Sequence, residues 1–450
     1  MYHCEEQASF STATKQSLLN RDCFASLAMT LTLVIAFATN PLTAFAAVPY
    51  HVQVYFNRDQ NAYLLYVNGK RFFVKGAGVG EAVDPAKGTD YLKLAKEMGA
   101  NCVRTWGEDQ GTKRYFDAAQ RLGLKVNAGI WLNYPNGQIS YLDMPYKTQR
   151  KKEILDYVRK FKYHPAILFW NVGNEVFAFT KSEEERVAFA QYLEELCEAI
   201  HKEDPHHPVM YASADSKAFP YIAQHVPSLD IIGINSYNNL PLIHKKWEAA
   251  DLGIPYLFTE YGPPGFWESG KDENGKAVEM ADANKARYYL RAIKTIRRHS
   301  KHCLGGFAFH VGRSPQTSLT WFALNYFGDR NASFWAVRQG LTGEFPINRP
   351  PVVGKFGIFG KRKLSAREKA NLVVEAYDIE RDKLEFSFRI GTTVDDGVYA
   401  NKEWDLPVRK TGHNQYSFEA PQEPGVYRVY LMVRDGRGNI TSANKTITVE

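Results

Sequence analysis

Cysteine is scarce in this chain, with five in 450 residues. If Cys4 and Cys23 leave with a cleaved N-terminal segment, Cys102, Cys197 and Cys303 remain, with no CxxC pair and no metal-ligand spacing. Three thiols allow at most one disulfide, so the fold is not held by a disulfide framework and buried free thiols are expected. Dense Lys/Arg blocks are missing too. The net charge of +7 is spread along the chain, which argues against nucleic acid as a partner. No glycine-rich phosphate loop opens a helix: Gly76-Ala77-Gly78-Val79-Gly80 is only glycine-dense. A Gly-x-Ser-x-Gly nucleophile elbow is absent as well. Asp204-Pro205-His206-His207-Pro208 reads as a turn after a helix, without the Cys/Asp/Glu company a metal needs.

Charge is missing altogether between Asp22 and Arg58, and Phe24 to Ala38 is mostly apolar. The stretch leads to Ala44-Phe45-Ala46, a small-x-small pattern before Ala47. Residues 1–46 therefore read as a signal peptide, with an uncleaved membrane anchor as the alternative because the uncharged window is long enough to span. Either way the body of the protein is expected to be exported, periplasmic or extracellular, and to meet a membrane only through that segment.

What remains has ample material for a core, with 44% hydrophobic and 23% charged residues. Eight apolar, strand-like runs alternate with helix-like segments. The runs are Phe72–Gly76, Asn101–Thr105, Lys125–Trp131, Ala166–Asn171, Val209–Ala212, Asp230–Asn235, Tyr256–Thr259 and Gly305–His310; helical patterns include Tyr91–Met98, Lys151–Phe161, Ser182–His201 and Asn284–His299. This alternation predicts an α/β fold, a (β/α)8 TIM barrel over residues 47–350, fed by a hairpin around Asn68-Gly69. After Asn348-Arg349-Pro350-Pro351, short alternating strands predict an immunoglobulin-like β-sandwich over residues 363–450. Ala376-Tyr377-Asp378-Ile379-Glu380-Arg381-Asp382 resembles a turn of cadherin- or PKD-like modules, which makes a calcium site conceivable, but its ligand pattern is incomplete and a solvated turn is expected.

Two carboxylates stand out. Glu175 closes Trp170-Asn171-Val172-Gly173-Asn174-Glu175, and Glu260 follows Tyr256-Leu257-Phe258-Thr259. A carboxylate at the end of a buried strand is costly unless exposed, paired or used. With 260 − 175 = 85 residues between them, the two fit the fourth and seventh strands of a barrel. That arrangement suits a retaining glycosidase, which needs an acid/base and a nucleophile.

Most of Tyr63 to Val353 resembles the clan A glycoside hydrolases, especially the family 2 barrel and the related glucanosyltransferases. The resemblance rests on Val67-Asn68-Gly69-Lys70, Val103-Arg104-Thr105-Trp106, Gly173-Asn174-Glu175, Ile234-Asn235-Ser236-Tyr237 and Phe258-Thr259-Glu260-Tyr261-Gly262, all in barrel order. It implies Glu175 as acid/base and Glu260 as nucleophile. Arg104 would hold Glu260 ionised and correctly turned, Asn174 would bond the sugar 2-hydroxyl, and Tyr237 would donate to Glu260. Trp106, Trp131, Trp267 and Trp321 are candidates to stack on sugar faces. Family members often carry a tryptophan at the end of strand eight. Here His310 and Val311 stand in its place, and Trp321 is near enough in sequence to substitute.

Together these features predict an exported enzyme acting on a β-linked oligo- or polysaccharide, with no metal or organic cofactor. A glucanosyltransferase with the same two glutamates remains open, since Gly173-Asn174-Glu175-Val176 and Ser213-Ala214-Asp215 fit that group as well. So does a non-catalytic glycan-binding protein, although a binder has no need of both glutamates in register.

Overall fold

The computed structural model describes residues 51–109, 111–312, 318–360, 363–392 and 402–450. The predicted signal or anchor lies outside the described residues. Among the described residues no helix is long and apolar enough to cross a membrane.

Three short antiparallel strands come first: β1 (Val52–Asn57), β2 (Ala62–Val67) and β3 (Lys70–Phe72). The turn between β2 and β3 places Asn68 and Gly69 at φ 48° and 74°, the left-handed pair that a tight two-residue hairpin requires. Eight strands then close a barrel: β4 (Val74–Gly78), β5 (Cys102–Arg104), β6 (Lys125–Ile130), β7 (Ile167–Asn174), β8 (Val209–Ser213), β9 (Ile231–Ser236), β10 (Tyr256–Tyr261) and β11 (Cys303–Ala308). Every pairing in it is parallel, including β11 with β4. All eight predicted strands are present. They read as apolar runs because most of their residues are shielded on both sides, by the barrel interior and by the helices.

Closure demands close approach. Gly305 sits at φ 124°, and a Cβ there would lie 2.1 Å from the carbonyl oxygen of Val74, so only glycine lets the last strand meet the first. The predicted helices are found as Tyr91–Glu97, Met144–Phe161, Glu183–Glu203 and Asp282–Arg298. The second of these starts earlier than periodicity indicated because Pro145 falls in its first turn, where a missing N–H costs nothing.

The hairpin plugs one end of the barrel. Val52, Leu65 and Val67 pack with Val74, Phe169, Leu257, Leu304 and Phe307. The Val52 and Tyr63 N–H groups donate to the carbonyls of His206 and Lys301, in the loops that precede β8 and β11. The plugged end is therefore the one where strands begin, and the catalytic candidates lie at the other end.

After the barrel, two sheets share one apolar core that includes Leu372, Val374, Ile390, Val429, Leu431 and Ile447. One has four strands, in the order Val352–Phe359, Lys369–Tyr377, Gln415–Glu419 and Arg409–Gly412; the other has five, Lys363–Leu364, Ile440–Val449, Gly425–Arg434, Glu385–Thr392 and Glu403–Asp405. The five-stranded sheet meets the barrel domain through an apolar cluster of Leu319, Ala323 and Tyr326 with Tyr430, Met432 and Ile440, and through polar contacts. Ser442 N–H donates to Asp282 Oδ2 at 2.8 Å, and Asn274 Nδ2 to Thr446 Oγ1 at 2.8 Å. The expected solvated turn is found only in part: Tyr377, Ile379, Glu380 and Arg381 are exposed, whereas Asp378 is only 9% exposed and the Asp382 side chain 10%. Both face a second loop rather than water. Cys102, Cys197 and Cys303 are buried free thiols, as expected.

Candidate active site

The strand ends opposite the plug carry a connected polar cluster. Glu260, in β10, is 6% exposed and is surrounded by donors. Arg104 Nη1, from the end of β5, reaches Glu260 Oε1 at 2.6 Å, and Trp106 Nε1 reaches the same oxygen at 2.8 Å. The Tyr237 hydroxyl donates to Glu260 Oε2. Three donors, one of them a guanidinium, converge on this carboxyl group and fix its plane. Burial and the charge of Glu260 push the Tyr237 hydroxyl well above its ordinary pKa, so it stays protonated and able to donate.

Arg104 is fully buried and is itself tied down. Its Nη1 also donates to the carbonyl of Thr259 at 3.0 Å, and Nη2 to Asn174 Oδ1 at 2.7 Å. Asn174 Oδ1 accepts a second bond from Asn235 Nδ2 at 3.1 Å, which directs the Asn174 amide nitrogen toward the Tyr134 hydroxyl at 3.4 Å. Asn235 is oriented in turn by Thr259 Oγ1, which donates to its Oδ1 at 2.7 Å.

Glu175 stands in a different environment. It follows β7 in the left-handed region, at φ 58° and ψ 16°, directly after Gly173 and Asn174 have turned the chain. Its N–H donates to the carbonyl of Ala212 at 2.7 Å, which pins the backbone against β8. Its side chain accepts from Asn235 Nδ2 at 2.6 Å. Burial first, and the charge of Glu260 second, push its pKa up to about 7. The two carboxyls of the cup thus sit in unlike surroundings: Glu260 is ringed by donors, while Glu175 is raised by burial and by the charge beside it.

The other predicted site residues divide. Trp106, Tyr237 and Phe309 form an edge-to-face aromatic group beside Glu260. Trp131 is half-buried and tilts against Tyr134, which stacks on Phe179 at 3.9 Å between centroids. His310 is 3% exposed; Nδ1 lies 3.1 Å from the carbonyl of Val311, and burial holds its pKa below the ordinary histidine value. Trp321 is 4% exposed, with Nε1 donating to Pro264 at 2.9 Å. It packs with Phe309 and Phe322 rather than presenting an open face. Trp267 is the opposite case, 57% exposed and edge-on to Tyr237.

Asn235 and Thr259 stand within the motifs quoted above without a role of their own, and Tyr134 and Phe179 stand in none of them. Asn235 bridges the two halves of the cup. The signal was available: a buried strand that ends Ile234-Asn235-Ser236 spends an amide where an apolar residue would cost less.

Residues 60–277 match glycosyl hydrolases family 2, TIM barrel domain. The barrel resembles that of family 2. Among curated relatives, the chain is 30% identical over 157 residues to a putative beta-glucuronidase of Formosa agariphila, covering 33% of this chain and 18% of that protein. It is 26% identical over 219 residues to a beta-glucuronidase of Bacteroides fragilis, covering 44% and 29%. It is 28% identical over 185 residues to the Homo sapiens beta-glucuronidase, covering 38% and 26%. The match thus spans well under half the length of these relatives. Among solved structures, Bacteroides uniformis beta-glucuronidase 2, covalently bound to cyclophellitol-6-carboxylate aziridine, superposes with a TM-score of 0.51 at 15% identity, over 89% of this chain and 48% of that one. Bifidobacterium dentium beta-glucuronidase, complexed with coumarin-3-O-glucuronide, gives 0.50 at 19% identity, over 65% and 49%. At these identities the structural likeness speaks for the fold alone.

Proposed function

We propose that the protein is a retaining glycoside hydrolase that cleaves a β-linked glycan by double displacement. The observation that carries this reading is the asymmetry of the carboxyl pair. Glu260 accepts from Arg104, Trp106 and Tyr237, whereas Glu175 is pushed up to about 7 by burial and by Glu260.

In the first half-reaction Glu175 gives its proton to the glycosidic oxygen while a Glu260 oxygen bonds to the anomeric carbon. The carbon–oxygen bond to the leaving group breaks, and a glycosyl ester on Glu260 remains. Burial still acts, but forming that ester removes the negative charge that had added to it in raising the Glu175 pKa, so Glu175 becomes the stronger acid and is left as a carboxylate. It then takes a proton from water, whose oxygen attacks the anomeric carbon from the leaving-group side. Glu260 is released as a carboxylate, and the configuration is retained. Asn174, with Oδ1 committed to Arg104 and Asn235, offers its amide N–H groups to the sugar 2-hydroxyl. Trp267 offers an exposed ring for sugar beyond the cleavage point.

The C-terminal two-sheet unit is taken as immunoglobulin-like, on the support of its four- and five-stranded sheets closing over one core. Export through the N-terminal segment belongs to the same proposal; N-terminal sequencing of the protein recovered from a fractionated host tests it, and an intact Met1 in the cytoplasmic fraction would refute it.

The enzymatic reading is tested by intact-mass analysis after exposure to 2-deoxy-2-fluoro β-glycosyl fluorides of glucuronic acid, glucose, galactose and mannose, followed by peptide mapping. One sugar ester on Glu260 is expected, and the sugar that reacts names the glycone. An ester on another residue, or inversion of configuration in the released sugar, would sink the assignment.

A further inference from the structure

Two loops of the C-terminal unit bring three carboxylates together. Asp378 and Asp382 follow the strand Lys369–Tyr377, and Asp435 follows Gly425–Arg434. One oxygen from each lies within 4.8 Å of the other two. All three groups are withdrawn from solvent; Asp435 is the most buried, at 3% exposure.

Hydrogen bonds account for part of the cluster. Asp378 Oδ1 accepts the Asp382 N–H at 2.9 Å, and Arg437 Nε reaches Asp382 Oδ1 at 2.8 Å. Asp435 Oδ1 accepts from the N–H groups of Arg437 and Asn439 at 2.7 and 3.0 Å. Its Oδ2 accepts from the side-chain amides of Asn348 and Asn439, both at 2.7 Å. These four donors hold Asp435 rigidly in place. Asp378 Oδ2 and Asp382 Oδ2 are buried as well, and neither has a donor among the described residues.

A buried carboxylate oxygen without a donor is unfavourable, and two of them beside a third carboxylate are more so. Across these four side chains three negative charges meet one positive charge, that of Arg437. A bound cation would offset the difference without needing any further N–H. The ligand atoms are all oxygen, which selects a hard ion. Oxygens on calcium stand roughly 2.3–2.6 Å from the ion, so two of them span up to about 5 Å, whereas magnesium draws its oxygens to within about 4.2 Å of each other. All three carboxylate oxygens lie within 4.8 Å of one another, inside the span of one calcium ion, and calcium takes its oxygens from protein carboxylates where magnesium keeps several waters.

We infer that Asp378, Asp382 and Asp435 form a calcium site that fastens the 378–382 turn to the 435–439 loop. This inference is independent of the reading of the active site. The same loops meet the barrel. Asn348, bonded to Asp435, precedes the Pro350-Pro351 connection, and Asn439 accepts from Trp335 Nε1 at 2.7 Å, in the barrel-side helix Ala332–Thr342. An ion held there braces the junction between the two units.

The test uses the full chain stripped by a chelator. Calorimetric titration with calcium chloride should reveal one site per chain, and saturating calcium should raise the melting temperature on the order of 2 °C, with a smaller rise in magnesium. Asp378→Asn keeps the Oδ1 acceptor and turns an amide toward Asp382. This variant should lose the calorimetric signal and, in chelator, melt no lower than the parent. A flat titration of the parent into the millimolar range overturns the site whether or not the variant folds. So does a calcium-induced rise that is equal in parent and variant.

Discussion

The two ends of the barrel are made by the same eight strands and have opposite chemistry. At the plugged end the strands contribute Val74, Phe169, Leu257 and Leu304 to an apolar seal closed by the hairpin. At the open end the same strands finish in Arg104, Asn174, Asn235 and Glu260, joined by a continuous set of hydrogen bonds. The change takes only a few residues, as from Leu257 to Glu260 in β10. One end stabilises the fold by removing apolar surface from water. The other spends that stability to hold a guanidinium and two carboxyls where water is largely excluded.

Mutations should separate the two ends. The largest expected effect is at the open end: Glu260→Gln should lower kcat on the order of 10⁴-fold or more with little change in melting temperature, read by steady-state kinetics beside calorimetry. Glu175→Gln should cost about 10²–10⁴-fold on substrates with poor leaving groups and much less on activated aryl glycosides. The alkaline limb of kcat/KM near pH 7 should disappear in that variant, because the group whose protonation it reports is gone.

At the plugged end the pattern should invert. Phe307→Ala removes a ring that packs against Gly76 and the hairpin, and it should cost about 3–5 kcal/mol of stability in denaturant melts. The activity of the protein that remains folded should hardly move. Loss of catalysis in step with Phe307→Ala, at a temperature where the protein is folded, would show that the ends are not separable.

The smallest effect is a pH dependence of stability. Glu175 has a folded pKa raised from 4.5 to about 7. Below pH 4.5 the proton is bound in both states and the contribution is fully present. As pH rises from 4.5 toward 7 the unfolded chain ionises first, so folding loses that contribution until both states are ionised. Melts of the parent against Glu175→Gln should therefore diverge across that window, the parent losing ground with rising pH. A constant offset would mean the carboxyl is already ionised at low pH.

Much of the barrel was legible because parallel strands shielded on both faces leave unbroken apolar runs, and all eight fell where those runs lie. Their edges were less legible. Phe72 was assigned to the first barrel strand, but Lys70–Phe72 pairs back onto β2 and the barrel strand starts at Val74. The carboxyl pair was legible because charge at the end of an apolar run is conspicuous. Asn235 and Tyr134 were not, since their importance lies in which oxygen they meet across the barrel. The burial of Trp321 depends on Phe309, Phe322 and Pro264, and no local pattern records that. Asp378 and Asp382 read as solvated because Asp435, which meets them, comes from a turn between two other strands.

The backbone at Glu175 has a consequence for any attempt to improve this protein. A left-handed conformation suits glycine or asparagine and costs another residue about 1–2 kcal/mol. A search for sturdier variants, blind to catalysis, should therefore favour glycine or asparagine at this position and, in doing so, delete the carboxyl proposed as proton donor. Thermostability and turnover are set against each other at a single dihedral angle.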